Sequence, residues 1–293
     1  MSEYSKGIIL VFTAGILWST IGIAVRLINE ASVWQILFYR GISMSLFLFF
    51  VISVFQKQSP INLIRNNFLM NLIGGLSLFL AYLGGIYAIQ KTSVANAMFL
   101  FACAPLLTAI LAKLLLNEKV KIITWICILI ALFGISIMVF DNSSSNSAFL
   151  GNIAGIFSAL GFAIFTVTLR SGKSNNMMPS VMFSGIIAVI ITGTFCLSNS
   201  YNLILSYNDT FISLGMGVFQ VGAGLVLYTL GSKIISAAEM TLLSLSEVLL
   251  GPLWVWFFLN ETIKNQTFIG GLILFSSIII NVLFTSKKTN KKN

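Results

Sequence analysis

Ser236-Ala237-Ala238-Glu239, a long apolar run and then Leu259-Asn260-Glu261 repeat the order of an earlier stretch, Ser93-Val94-Ala95-Asn96 through Leu116-Asn117-Glu118. Both ends are displaced by 143 residues, 93 to 236 and 118 to 261. The same displacement pairs Phe68 with Phe211 and Gly74 with Gly217, and one residue more pairs Gly7 with Gly151 and Arg26 with Arg170. The duplication therefore covers most of two halves, residues 1–141 and 149–286, joined by an Asn/Ser-rich linker at 142–148 and followed by a basic tail at 287–293. Units of this length exceed a solenoid repeat and match the internal duplications of membrane carriers.

The composition points the same way. Of 293 residues, 57% are hydrophobic and 9% charged, and the mean hydropathy is +0.98; too little polar surface is present to coat a soluble globule. The isoelectric point near 9.6 does not indicate nucleic acid, because the basic residues are scattered between apolar runs and gathered at the tail, as in cytoplasmic loops. Cys103, Cys127 and Cys196 fall inside apolar runs with no metal or redox spacing. The chain has no histidine, which removes the commonest general base and metal ligand. No cofactor or metal is expected. The apolar run after Lys6 is too long for a signal-peptide core and reads as a first span.

About 20 apolar residues cross about 30 Å of hydrocarbon. Such windows occur at 7–28, 33–55, 68–89, 92–116, 122–140, 150–169, 178–197, 211–231, 236–259 and 267–285. With the N-terminus in the cytoplasm, twelve basic residues fall inside, among them Lys57, Arg65, Lys119, Lys121 and Arg170, against Arg26, Lys91 and Lys264 outside. The positive-inside rule selects this orientation, with both termini cytoplasmic in a bacterial-type inner membrane. Five spans per half return the second copy from the opposite side, so the expected fold is all-α, two inverted five-helix repeats around a central cavity.

Ser236-Ala237-Ala238-Glu239, then Leu242 to Glu247, Gly251-Pro252-Leu253-Trp254 and Leu259-Asn260-Glu261-Thr262, resemble the second-half signature of EamA-type carriers in the drug/metabolite transporter superfamily. The first half agrees through Gly7, Trp18, Phe38-Tyr39-Arg40, Pro105-Leu106 and Leu116-Asn117-Glu118. The resemblance implies ten helices, an inverted repeat and a cavity lined mainly by the third, fourth, eighth and ninth spans, with help from the first and sixth. As a substrate mark it is poor, since similar proteins are associated with amino acids, other metabolites, nucleotide-related molecules and toxic cations. Asn96 stands where the second copy has Glu239, so the halves differ electrostatically.

Glu247, midway along the ninth span, is the leading candidate: an intramembrane acid costs about 2.5–3.5 kcal/mol to insert and faces a cavity or a partner. Glu239 lies near the same helical face but at the cytoplasmic end, where an acid also suits the helix dipole. Both are candidates for proton coupling. Arg40 enters the second span deeply enough to pair with Glu247, an ion pair for which a zwitterionic or charged solute would compete; the alternative is an arginine satisfying helix-end carbonyls or snorkelling. Trp18, Tyr82, Phe101, Phe162, Tyr228 and Trp254 are candidate aromatic walls, or core packing. Asn71, Ser77, Asn96, Gln220 and Ser244 are candidate polar contacts, or interhelical glue. Pro105 and Pro252 interrupt the fourth and ninth spans as candidate hinges.

No phosphate-binding loop occurs, so energy must come from gradients. The expected activity is secondary transport of a small organic solute by alternating access, with efflux of an amino acid or related metabolite leading and uptake or exchange next. Lipid, the solute and protons are the expected partners, with no nucleic acid, and the protein is a monomer or homodimer. A channel would differ by lacking saturation and counterflow. A membrane-embedded enzyme would need a clustered nucleophile, base or metal set that two isolated glutamates do not supply.

Overall fold

The computed structural model describes residues 2–91, 94–139, 149–259 and 265–289. The described residues are helical apart from turns and short connections. The first span consists of α1 (Glu3–Ser19) and α2 (Ile21–Arg26), and the second of α3 (Val33–Phe50) extended by a π-helical turn, Val51–Phe55. A short helix, α4 (Pro60–Asn66), leads into the third span, α5 (Phe68–Lys91). The fourth is divided into α6 (Val94–Phe101) and α7 (Ala104–Leu115), and the fifth is α8 (Ile122–Val139). In the second half α9 (Phe149–Ser171) and α10 (Met178–Ser198) are continuous. The eighth span is α11 (Tyr207–Gly215), a π-helical stretch over Met216–Ala223 and α12 (Gly224–Gly231). The ninth is α13 (Ala237–Ser244) with α14 (Ser246–Leu259), and the tenth is α15 (Asn265–Thr289).

Nine of these ten segments are long and apolar enough to cross a membrane. The tenth, α8, has 18 residues, about 27 Å at about 1.5 Å per residue, and its sequence Ile122 to Val139 carries no charge. Its fit to the bilayer is therefore close. Large side chains such as Leu46, Phe50, Leu129, Phe133, Ile190, Phe219, Phe257 and Phe268 are exposed around the outside of the bundle, an apolar surface suited to lipid rather than water.

Hydrogen bonds across the chain fix which ends share a face. The start of α1, the ends of α7, α9 and α12 and the start of α13 meet at one face, called here the N-terminal face. At the far face the loop 29–31 meets the start of α11, and Gln35 and Tyr39 of α3 donate to the carbonyls of Asn202 and Leu203. The first repeat thus starts at the N-terminal face and the second at the far face, the inversion expected from an odd number of spans.

Small residues bring the helices close, as expected where lipid provides no hydrophobic drive between them. A Cβ at Gly84 would lie 2.7 Å from the carbonyl of Ala154, and one at Gly161 would lie 2.6 Å from that of Ser77, so α5 and α9 touch backbone to backbone. Ser158 adds a hydrogen bond to the Ala81 carbonyl at 2.7 Å. The fifth and tenth spans pack chiefly on each other, joined by Thr124 donating to Asn281 Oδ1 at 2.9 Å.

Candidate functional site

Three helix breaks interrupt the first, fourth and ninth spans, two at hydroxyl side chains and one at a proline. In the first span Ser19 and Thr20 hydroxyls donate back to the carbonyls of Ile16 and Leu17 at 2.6 and 2.7 Å, a competition that bends helices. The carbonyl of Trp18 is then taken by Gln220 Nε2 at 3.2 Å and the hydroxyl of Ser19 by Trp254 Nε1 at 2.7 Å. In the fourth span the break falls at Ala102–Cys103, where Pro105, in the first turn of α7, supplies no N–H. The ninth breaks at Leu245, between Ser244 and Ser246. Leu245 is the repeat partner of Ala102 at the displacement of 143, so the two copies are interrupted at equivalent places.

The expected hinge at Pro105 therefore lies just past a real interruption, whereas that at Pro252 does not: α14 runs through it, and the ninth span turns seven residues earlier. The hydroxyls of Thr241 and Ser244 back-bond to α13 carbonyls there, the same device as in the first span. The side chains of Pro252 and Asn96 lie outside the described residues.

At the centre, Trp18, Phe162 and Tyr228 form a mutual aromatic cluster with centroid separations of 5.9, 5.2 and 5.5 Å, and Phe101 joins Phe162 at 5.4 Å. Phe165 extends it. Tyr228 is tied to Thr166 at 2.9 Å. Gly224 is required for this packing, because a Cβ there would collide with the indole of Trp18.

Arg40 is 4% exposed, about 10 Å into α3 at about 1.5 Å per residue. Its guanidinium lies 4.6 Å from the ring centre of Tyr82, a cation–π contact worth about 2 kcal/mol or more when desolvated. Gly217, in the π-helical stretch, lies against the carbonyl of Arg40. Glu247 sits in the first turn of α14, half-buried, within electrostatic reach of both Tyr82 and Tyr228. The direct Arg40–Glu247 ion pair expected from sequence is not formed: among the described residues the ion pairs are Lys6–Glu3 and Arg170–Glu118. Arg40 of the first repeat is thus paired with the Tyr82 ring, and Glu247 of the second repeat forms no ion pair with it.

Other expected site residues are placed elsewhere. Gln220 and Trp254 satisfy the break in the first span, although Gln220 Oε1 has no partner among the described residues. Asn71 links Leu63 and Ser180, Ser77 back-bonds to Gly74, and Ser244 to Thr241. These are helix-joining and helix-bending roles. Glu239 is at the N-terminal face, where it forms a capping box with Ser236. Centrally, the aromatic cluster is closely packed, with Trp18, Phe162 and Tyr228 all buried.

Two polar clusters were not anticipated. At the N-terminal face Glu118 accepts from Arg170 Nε at 2.6 Å and from the Ala237 N–H at 3.2 Å, while Arg170 Nη1 donates to the Ser232 carbonyl at 2.8 Å. This latch joins the ends of the fourth, sixth, eighth and ninth spans. At the far face the buried Asp209 accepts from the N–H groups of Asn29, Glu30 and Ala31, each at 3.0 Å.

The EamA-like transporter family matches residues 5–140 and 149–283, once per repeat. The chain belongs to the EamA-like transporter family. This EamA-like protein is 34% identical over 141 residues to an "uncharacterized transporter" of Helicobacter pylori, a match covering 45% of this chain and 44% of that protein. It thus spans less than half the length of that relative. An "uncharacterized transporter" of Clostridium kluyveri is 25% identical over 219 residues, 70% of this chain and 68% of its own. A solved crystal structure superposes with a TM-score of 0.84 at 14% identity, covering 97% of this chain and 98% of the other, which establishes the shared fold. The EamA-like chain is a multi-span membrane protein whose family and named relatives are described as transporters.

Proposed function

We propose that the protein is a secondary carrier that exports an amino acid or related small metabolite across the bacterial inner membrane by alternating access. The observation that carries the reading is the pair of unjoined charges, Arg40 from the first repeat and Glu247 from the second, both beside Tyr82 and next to an aromatic cluster. Opposite charges within the membrane, Arg40 buried and Glu247 half-buried, are costly when left apart unless a ligand completes them. A carboxylate fits Arg40, an ammonium fits Glu247, and an apolar body fits Trp18, Phe162 and Tyr228. The distribution of basic residues supports a cytoplasmic N-terminal face. Closure there rests on the Glu118–Arg170 latch, whose two charges also come from different repeats, and opening requires its release. Proton coupling is assigned to Glu247, since Glu239 is engaged in a cap.

Screening purified protein for thermal stabilisation by amino acids and related metabolites, followed by counterflow in proteoliposomes, tests this reading, because a ligand of the folded state raises apparent stability by mass action. Arg40→Ala and Glu247→Gln are each expected to lose stabilisation and at least ten-fold of counterflow. Wild-type behaviour in both variants would contradict it. A pH gradient is expected to drive transport in the wild type and not in Glu247→Gln.

A further inference from the structure

A cavity of about 160 Å³ opens at the N-terminal face, away from the central charges, between Tyr4, Lys119, Lys121, Ser236, Glu239 and Thr285. It is smaller than the about 300–1,000 Å³ of pockets for whole organic ligands. We propose that it binds a phosphate ester carrying an ammonium group, the chemistry of phosphoethanolamine, presented by a lipid of the surrounding leaflet.

Three observations support this occupant. The first is charge. Lys119 and Lys121 come from the connection between α7 and α8, and Glu239 from the first turn of α13. Two ammonium groups suit a phosphate, Lys121 Nζ reaching it by exchanging its contact with the Thr285 carbonyl at 3.4 Å, while a carboxylate only 6% exposed, held by the Ser236 N–H at 3.4 Å, suits an ammonium and repels a simple anion. Arg170 does not compete for the phosphate, because it is engaged by Glu118 and the Ser232 carbonyl.

The second is level. The walls are the opening residues of α1, α8 and α13 and the closing turns of α15, the depth at which headgroups meet helix ends. The third is the rim. Ile122, which follows Lys121 in the chain, is 75% exposed, and Phe284, which precedes Thr285, is 58% exposed, so apolar surface able to carry acyl chains occurs on the same helix ends that wall the pocket. A bound headgroup would join the first, fifth, ninth and tenth spans beside the latch, since Lys119 follows Glu118 and Ser236 precedes Ala237. It would thereby hold this face closed.

The test compares delipidated protein in detergent with added phosphatidylethanolamine, phosphatidylglycerol or soluble phosphoethanolamine, read by melting temperature and by lipid retained in native mass spectra. The wild type is expected to gain several degrees with phosphatidylethanolamine and less with phosphatidylglycerol. Lys119→Ala/Lys121→Ala should lose that gain and the retained lipid, with its lipid-free melting temperature near that of the wild type. Glu239→Gln, which preserves the cap, should respond alike to both lipids. Equal response of the wild type to both lipids, or an unaltered preference in these variants, would overturn the site. An equal gain from soluble phosphoethanolamine would support the headgroup chemistry and overturn the lipid as its source.

Discussion

Tyr82 is the residue on which the charge arrangement turns. Its ring faces Arg40, yet its hydroxyl is buried with no hydrogen-bond partner among the described residues. Ring and hydroxyl should therefore separate by mutation. Tyr82→Phe keeps the cation–π contact and removes an unsatisfied group, so thermal unfolding is expected to show stability unchanged or raised by up to about 1 kcal/mol. Tyr82→Leu leaves the guanidinium uncovered and should cost about 2 kcal/mol. Destabilisation of similar size in both would show that the hydroxyl is engaged. At this scale the sequence was legible in kind but not in direction. Trp18, Phe101, Phe162 and Tyr228 were readable as inward aromatics and do meet, whereas Trp254 read alike and bonds Ser19 at the first-span break, where Gln220 acts as the interhelical glue its residue type allowed. The span of a residue follows from hydropathy, but its angular position about the helix is set by breaks and π-helical turns. Asp209 was missed because its partners are backbone N–H groups of residues 29–31, a contact about 180 positions away that residue type does not announce.

Among the elements, the ninth span shows what local reading could and could not find. Pro252 was the visible interruption, but the helix turns at Leu245, where the neighbouring serines and a threonine leave no Gly or Pro signature. Ser246 sits at that turn with its hydroxyl directed at Gly15 of α1. A Cβ at Gly15 would overlap this hydroxyl but lie 3.4 Å from the Ser246 Cβ, an ordinary contact. Gly15→Ala is accordingly expected to cost about 1–3 kcal/mol by overpacking and to reduce transport, and Gly15→Ala/Ser246→Ala should recover most of the stability. A double mutant no better than the single one would show that α1 and α14 are not in register here. The π-helical stretch Met216–Ala223 has a readable cause, the glycines Gly215, Gly217, Gly222 and Gly224, yet its repeat partner within α5 is regular helix despite Gly74 and Gly75. Glycine permits the wider turn, and packing against Arg40 and Trp18 selects it.

The whole molecule was the most legible scale, because matched ends at 93–118 and 236–261, ten apolar windows and an odd count per half constrain one another. What the repeat could not reveal was how the halves are fastened. Glu118 was readable only as a motif end, and its partners Arg170 and Ala237 lie 52 and 119 residues away. If this latch closes the N-terminal face of a carrier, weakening it must open that face and close the other. Spin labels in a cysteine-free background, at Lys119 and Lys233 on the N-terminal face and at Lys91 and Gln266 on the far face, measure this directly by pulsed dipolar distances. All four positions are exposed. With Glu118→Gln the first distance is expected to lengthen and the second to shorten, in matching populations. Both faces lengthening together, or neither moving, would contradict alternating access about the centre.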